Sequence, residues 1–62
     1  MIIYVLDDEP IALRGTINTI QKVVPEAKVT GFSRANDALR HIRDTKEYPD
    51  VVFSAIEMSG MS

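Results

Sequence analysis

The stretch that decides the fold is IIYVLDDEP, residues 2–10. Its first five residues are apolar and rich in β-branched side chains, which indicates a strand covered on both faces, as at the centre of a parallel sheet. Pro10 suits the first turn of a helix, where no backbone N–H is needed, and Asp8 and Glu9 place negative charge at the positive end of that helix. The stretch therefore predicts a central strand that leads directly into a helix.

Two amphipathic helices are predicted from apolar residues that recur at helical spacing. The first spans residues 10–24 and ends before Pro25, with Gly15 costing about 1 kcal/mol relative to alanine. The second spans residues 34–45, with Ser33 as its N-cap. The apolar stripes are Leu13, Ile17, Ile20 and Val24 in the first helix, and Ala35, Ala38, Leu39 and Ile42 in the second.

Two further strands are predicted, one after each helix. Residues 28–32 contain β-formers, but Lys28 and Gly31 suit an edge position. Residues 51–56 form a third apolar run, which predicts a strand covered on both faces. The order β-α-β-α-β favours parallel strands joined by right-handed crossovers, and hence an α/β doubly wound layer.

Composition limits the classes of function. A chain of 62 residues with 45% hydrophobic and 26% charged residues is sufficient for one small, marginally stable domain. The net charge of −2 argues against a nucleic-acid partner or a membrane surface. No cysteine is present, so neither disulfides nor a thiolate zinc site is expected. The first apolar run is too short to span a membrane, and a cytoplasmic location is expected.

Two segments, IIYVLDDEP at residues 2–10 and PDVVFSAIEMSGM at residues 49–61, together resemble the receiver domains of two-component response regulators (the CheY-like family). Residues 2–10 are similar to the family's first strand and its Mg²⁺-binding acidic cluster. Residues 49–61, PDVVFSAIEMSGM, are similar to the third strand and the loop after it, in which the strand ends in the phosphate-accepting Asp and Met-Pro-Gly follows two residues later. Here Ala55 occupies the Asp position and Ser59 the Pro position. The resemblance implies a flavodoxin-like (CheY-like) half-domain of three parallel strands in the order 2-1-3, covering the amino-terminal half of the family's fold.

The resemblance also implies a vestigial magnesium site. Asp8 would bind the ion directly, Asp7 through water, and Glu57 through its backbone carbonyl. Ala55 ends in a methyl group and cannot accept a phosphoryl group, while Ser54 should face the other side of the strand. We therefore expect no enzymatic activity, no cofactor, and Mg²⁺ bound weakly if at all. The alternative is that the acidic residues only stabilise the start of the first helix.

The remaining polar candidates are weaker. His41 has no second histidine or cysteine to form a metal site, so a solvated helix residue is predicted. Arg40 and Arg43 lie close to it in sequence and are interpreted as part of a solvated face.

Two hypotheses of function follow. In the first, the chain is a fragment of a receiver domain from a phosphorelay that cannot itself be phosphorylated; the family implies a sensor histidine kinase and an output domain as partners. In the second, it is an engineered or degenerate half-domain that acts only by self-association. An exposed third strand could pair with its own copy in an antiparallel homodimer, with exchange of a helix or strand as the competing route. The predicted interface consists of Val51, Val52, Phe53, Ser54, Ala55 and Ile56.

Overall fold

The computed structural model describes residues 1–55, which form three strands and two helices. The elements are β1 Ile2–Leu6, α1 Pro10–Val23, β2 Lys28–Phe32, α2 Ala35–Thr45 and β3 Val51–Ser54. The strands form one parallel sheet in the order β2-β1-β3. The predicted α/β arrangement with strand order 2-1-3 is therefore confirmed. β3 ends two residues earlier than predicted because its partner β1 ends at Leu6 and the chain then bends toward α1.

The central strand β1 provides most of the core. Ile3, Tyr4 and Val5 are all at most 3% exposed, so the prediction that this strand is covered on both faces is confirmed. Tyr4 packs in a cluster that includes Ala38 of α2. Because side chains alternate along a strand, Ile3 and Val5 point to the other face, toward α1. The core is thus one layer on each side of β1.

Helix α1 packs against β2 and β1 through the predicted stripe. Leu13 and Ile17 approach β2 where Gly31 has no side chain. A Cβ at Gly31 would lie 2.6 Å from Ile17 Cδ1 and 3.0 Å from Leu13 Cδ1. The glycine in β2 therefore allows close contact between helix and sheet, which is a stronger reason for its presence than an edge position.

Helix α2 differs from the prediction at its start and on its buried face. The N-cap residue is Arg34, in an extended conformation and without a side-chain cap, so the assignment of Ser33 was wrong. Leu39 is 63% exposed, whereas Ala38 is buried and His41 is partly buried. The helix is rotated relative to the predicted stripe because its contacts are to the aromatic rings of Tyr4 and Phe32. His41, and not Leu39, therefore packs against those rings.

Strand β3 is not covered as predicted. Val52 is 51% exposed and Phe53 is 47% exposed. Both helices pack against β1 and β2, and neither packs against β3. Within residues 1–55, no strand pairs with the outer edge of β3. In residues 1–55, the third strand therefore has an unpaired edge and two faces that neither helix covers.

Across the same residues, neither helix has the length and apolar character needed to cross a membrane.

Candidate functional site at the carboxyl end of the sheet

An acidic pair lies where the central strand ends. Asp7 directly follows β1 and is 6% exposed, while Asp8 is exposed. The Asp7 backbone N–H donates to the Phe32 carbonyl over 3.1 Å, which fixes this residue to β2. Its Oδ1 accepts a hydrogen bond from the Glu9 N–H over 2.9 Å. Asp7 is therefore held rigidly at the carboxyl end of the sheet.

Ala55 lies beside Asp7 at the same end of the sheet. The Ala55 N–H donates to the Leu6 carbonyl over 2.8 Å. Leu6 is in register with Ser54, and extending that register by one residue places Ala55 opposite Asp7. Side-chain alternation then puts Ser54 on the face opposite to Asp7 and Ala55. The sheet thus brings Asp7 and Ala55 together, and it places Ser54 on the other face.

The acidic residues have a structural role as well as a potential metal-binding one. Asp7 stabilises the turn into α1 through its bond to Glu9, the N-cap residue, whose own side chain makes no capping bond. Among residues 1–55, no three acidic, histidine or cysteine side chains form a group that could hold a metal ion. The predicted third ligand, Glu57, and the last interface residue, Ile56, lie outside the described residues. The arrangement at this end is a carboxylate pair beside a methyl group.

A second polar cluster, centred on Glu47, lies away from the acidic pair. The Tyr4 hydroxyl donates to Glu47 Oε1 over 2.9 Å and approaches the Glu47 carbonyl at 3.2 Å. Lys28 Nζ donates to Oε2 over 2.6 Å, and His41 Nε2 lies 3.3 Å from Oε1. One carboxylate thus contacts both β1 and β2 as well as α2.

The Glu47 cluster shifts the ionisation of two of its members. Burial, reinforced by the neighbouring Glu47 carboxylate, raises the pKa of Tyr4 to about 12. Hydrogen bonds from Lys28 and then Tyr4 lower the pKa of Glu47 to about 2. Both shifts favour the pairing of a neutral phenol with an ionised carboxylate. Sequence reasoning missed Glu47 because it lies in a polar turn; the available signal was the hydroxyl of a tyrosine in a buried strand, which requires a partner.

His41 belongs to this cluster and is not the solvated residue that was predicted. Its side chain is 32% exposed, and its ring centre lies 5.4 Å from that of Phe32 and 5.8 Å from that of Tyr4. Arg40 and Arg43 do lie on an exposed face. Arg43 approaches Asp44 at 3.4 Å, with both side chains largely solvated, so this pair adds little stability.

Comparison with known protein families, curated proteins and solved structures gave no match to this chain. The fold and the site together define a small α/β layer with an acidic pair at the carboxyl end of its central strand.

Proposed function

We propose that the chain corresponds to the amino-terminal half of a receiver domain from a two-component phosphorelay, in a form that does not accept a phosphoryl group. The observation that carries this proposal is the position of Ala55. Its hydrogen bond to Leu6 places it next to the acidic pair, at the carboxyl end where ligands bind in open α/β sheets. A carboxylate at position 55 would complete a three-carboxylate group there.

The chemistry explains why the native chain would be inactive. Phosphoryl transfer to a carboxylate requires a nucleophilic oxygen and a cation that offsets the charge on the phosphoryl oxygens. Ala55 supplies no oxygen, and Ser54 lies on the other face. Asp7 and Asp8 alone provide few ligands for Mg²⁺, which retains several waters in such sites. A role in signalling would then depend on contacts with a sensor kinase or an output domain, and the chain would not act as an enzyme.

Placing a carboxylate at position 55 tests this proposal. Ala55→Asp should bind Mn²⁺, used as a spectroscopic probe for Mg²⁺, about tenfold more tightly than the native chain, because a third anionic ligand joins Asp7 and Asp8. Ser54→Asp is the matched control: it adds the same charge one residue away on the opposite face and should leave the affinity nearly unchanged. Titration followed by electron paramagnetic resonance measures both. Equal gains in the two variants would contradict the proposed site.

A phosphodonor experiment addresses the reaction itself. The native chain, incubated with Mg²⁺ and phosphoramidate, should show no acyl phosphate by intact-mass spectrometry. A mass increase of one phosphoryl group, lost on treatment with hydroxylamine, would overturn the proposal that position 55 is the acceptor.

The second candidate function is self-association, and β3 is the observation that favours it. Its outer edge is unpaired in the described part of the chain, and Val52 and Phe53 are about half exposed on opposite faces. No charged residue occurs between Val51 and Ala55, so two copies would meet without repulsion. Light scattering across a concentration series, combined with circular dichroism, should show a dimer that loses helicity as it dissociates. A folded monomer at every concentration would rule this function out.

A further inference from the structure

The attachment of α2 to the sheet depends on few contacts. Ala38 is the one buried residue of the helix. Ile42 and His41 pack beside it against Tyr4 and Phe32, while Leu39 points outward. A helix with so little buried apolar surface gains little from packing, so polar contacts contribute a large part of what holds it in place.

Glu47 provides those polar contacts. It follows the end of α2 by two residues, and its carboxylate bonds to Tyr4 of β1 and Lys28 of β2 while facing His41 of α2. We propose that Glu47 is a tether that holds α2 on the sheet, and that α2 leaves the sheet as a unit when this carboxylate is neutralised. This inference is independent of the proposed signalling role.

The geometry of the chain after Glu47 explains why the movement would be confined to α2. Asp50, three residues after Glu47, is hydrogen-bonded to β1 independently of Glu47. Its N–H donates to the Ile2 carbonyl, and its Oδ2 accepts from the Ile2 N–H, both over 2.8 Å. β3 therefore stays on the sheet when Glu47 is released. α1 lies on the opposite face and does not contact the Glu47 carboxylate. Tyr48 and Pro49 form the connection that would have to move.

Acid should release the tether. Because the pKa of Glu47 is depressed in the folded chain, its stabilising contribution is complete above the ordinary pKa of 4.5 and is lost as the pH falls through about 2. The groups that face the carboxylate are Tyr4, Lys28 and His41. Protonated Glu47 no longer attracts Lys28 as an anion and is a weaker acceptor for the Tyr4 hydroxyl, which favours release of α2.

Amide hydrogen exchange measured residue by residue tests the tether. In Glu47→Gln, protection of the α2 amides should fall about tenfold or more, and in both the native chain and the variant the α2 amides should exchange faster than the most protected β1 amides. The matched control is Asp44→Asn, which neutralises an exposed α2 carboxylate and should leave all protection unchanged. Equal protection of α2 and β1 in the native chain, or no loss of α2 protection in the variant, would overturn the proposal.

The native chain provides a second measurement if Glu47→Gln does not fold. Exchange corrected for its intrinsic pH dependence should show α2 losing protection at a higher pH than α1 as acid is added. Simultaneous loss in the two helices would show a single global transition and would refute a separate movement of α2.

Discussion

Tyr4 stands in the most buried strand of the molecule, where an apolar side chain would suffice for packing. Its ring lies 5.0 Å from that of Phe32 in an edge-on arrangement, which suits aromatic pairs. Its hydroxyl is enclosed in the same core and must be hydrogen-bonded, since an unpaired buried polar group is destabilising. Glu47 meets that requirement from 43 residues away in sequence. A single residue thus links the apolar core to the polar cluster.

Replacing Tyr4 with phenylalanine removes the hydroxyl and keeps the ring, so it measures the contribution of the hydroxyl alone. We expect Tyr4→Phe to lower the free energy of unfolding by about 1 kcal/mol, because the hydrogen bond from the hydroxyl to Glu47 is lost. The aromatic ring at position 4 and the bond between Lys28 and Glu47 remain. Urea denaturation followed by circular dichroism measures the change. Tyr48→Phe is the matched control, since Tyr48 is 68% exposed, and it should alter stability by only a few tenths of a kcal/mol. Equal effects at the two positions would argue against a buried bond at Tyr4.

Alkaline titration tests the same residue in its other ionisation state. The pKa of Tyr4 is raised from 10.0 to about 12 in the folded chain, so the unfolded state releases this proton first. The contribution of Tyr4 to stability is therefore complete below pH 10 and is lost as the pH rises through about 12. In Tyr48→Phe, where Tyr4 is the one remaining tyrosine, phenolate absorbance should rise near pH 12 and coincide with loss of helicity. A transition near pH 10 in a chain that is still folded would contradict the burial of the hydroxyl.

At the level of the elements, the two glycines with described surroundings have opposite consequences. A Cβ at Gly15, in the middle of α1, would meet nothing within 4 Å, whereas one at Gly31 would meet Ile17 and Leu13. Gly15→Ala should therefore stabilise the chain by about 0.5–1 kcal/mol through the backbone entropy of the unfolded state. Gly31→Val should destabilise it by about 1–3 kcal/mol, although valine is the better strand former, because α1 would be displaced from β2. Thermal unfolding of the two variants measures both effects, and stabilisation by Gly31→Val would show that α1 is not closely packed there.

How far the sequence predicts each element depends on whether its determinants are local. β1 and the start of α1 follow from residues 2–10 alone, and the α1 stripe follows from helical periodicity. The buried face of α2 does not, because the rings of Tyr4 and Phe32, which lie elsewhere in sequence, determine that His41 is packed and Leu39 exposed. The apolar run of β3 likewise predicts a strand but cannot indicate how many layers cover it.

The candidate site shows the same distinction. The proximity of Asp7 and Ala55 could be predicted, because both follow parallel strands at the same end of one sheet. The Glu47 cluster could not, since a glutamate in a polar turn has no local feature that identifies its partners. Long-range pairs of this kind depend on the packed fold, and a buried tyrosine hydroxyl is the one sequence feature that indicates them.

At the scale of the whole molecule, the open side of β3 limits how two copies could join. Antiparallel pairing of β3 with its own copy would satisfy the backbone groups at the edge. It would not cover Phe53, because α1 in each copy lies over β1 and β2. The apolar groove beside Phe53 is lined on the α1 side by Ile20 and Val23, and it would remain open. A dimer that also buries Phe53, as in exchange of a helix between copies, would remove more apolar surface from water than edge pairing alone.

Phe53→Lys distinguishes these two modes of association. The substitution keeps the backbone N–H at the edge but places a charge on the α1 face, so association that buries Phe53 should weaken about tenfold or more, the equivalent of losing one partly buried aromatic contact. Sedimentation equilibrium gives the dissociation constant. Leu39→Lys is the control, since Leu39 is 63% exposed on α2, away from β3. If Phe53→Lys leaves the dissociation constant unchanged, the copies join through the strand edge alone. If Leu39→Lys weakens association as much as Phe53→Lys does, the interface lies on α2 and not on β3.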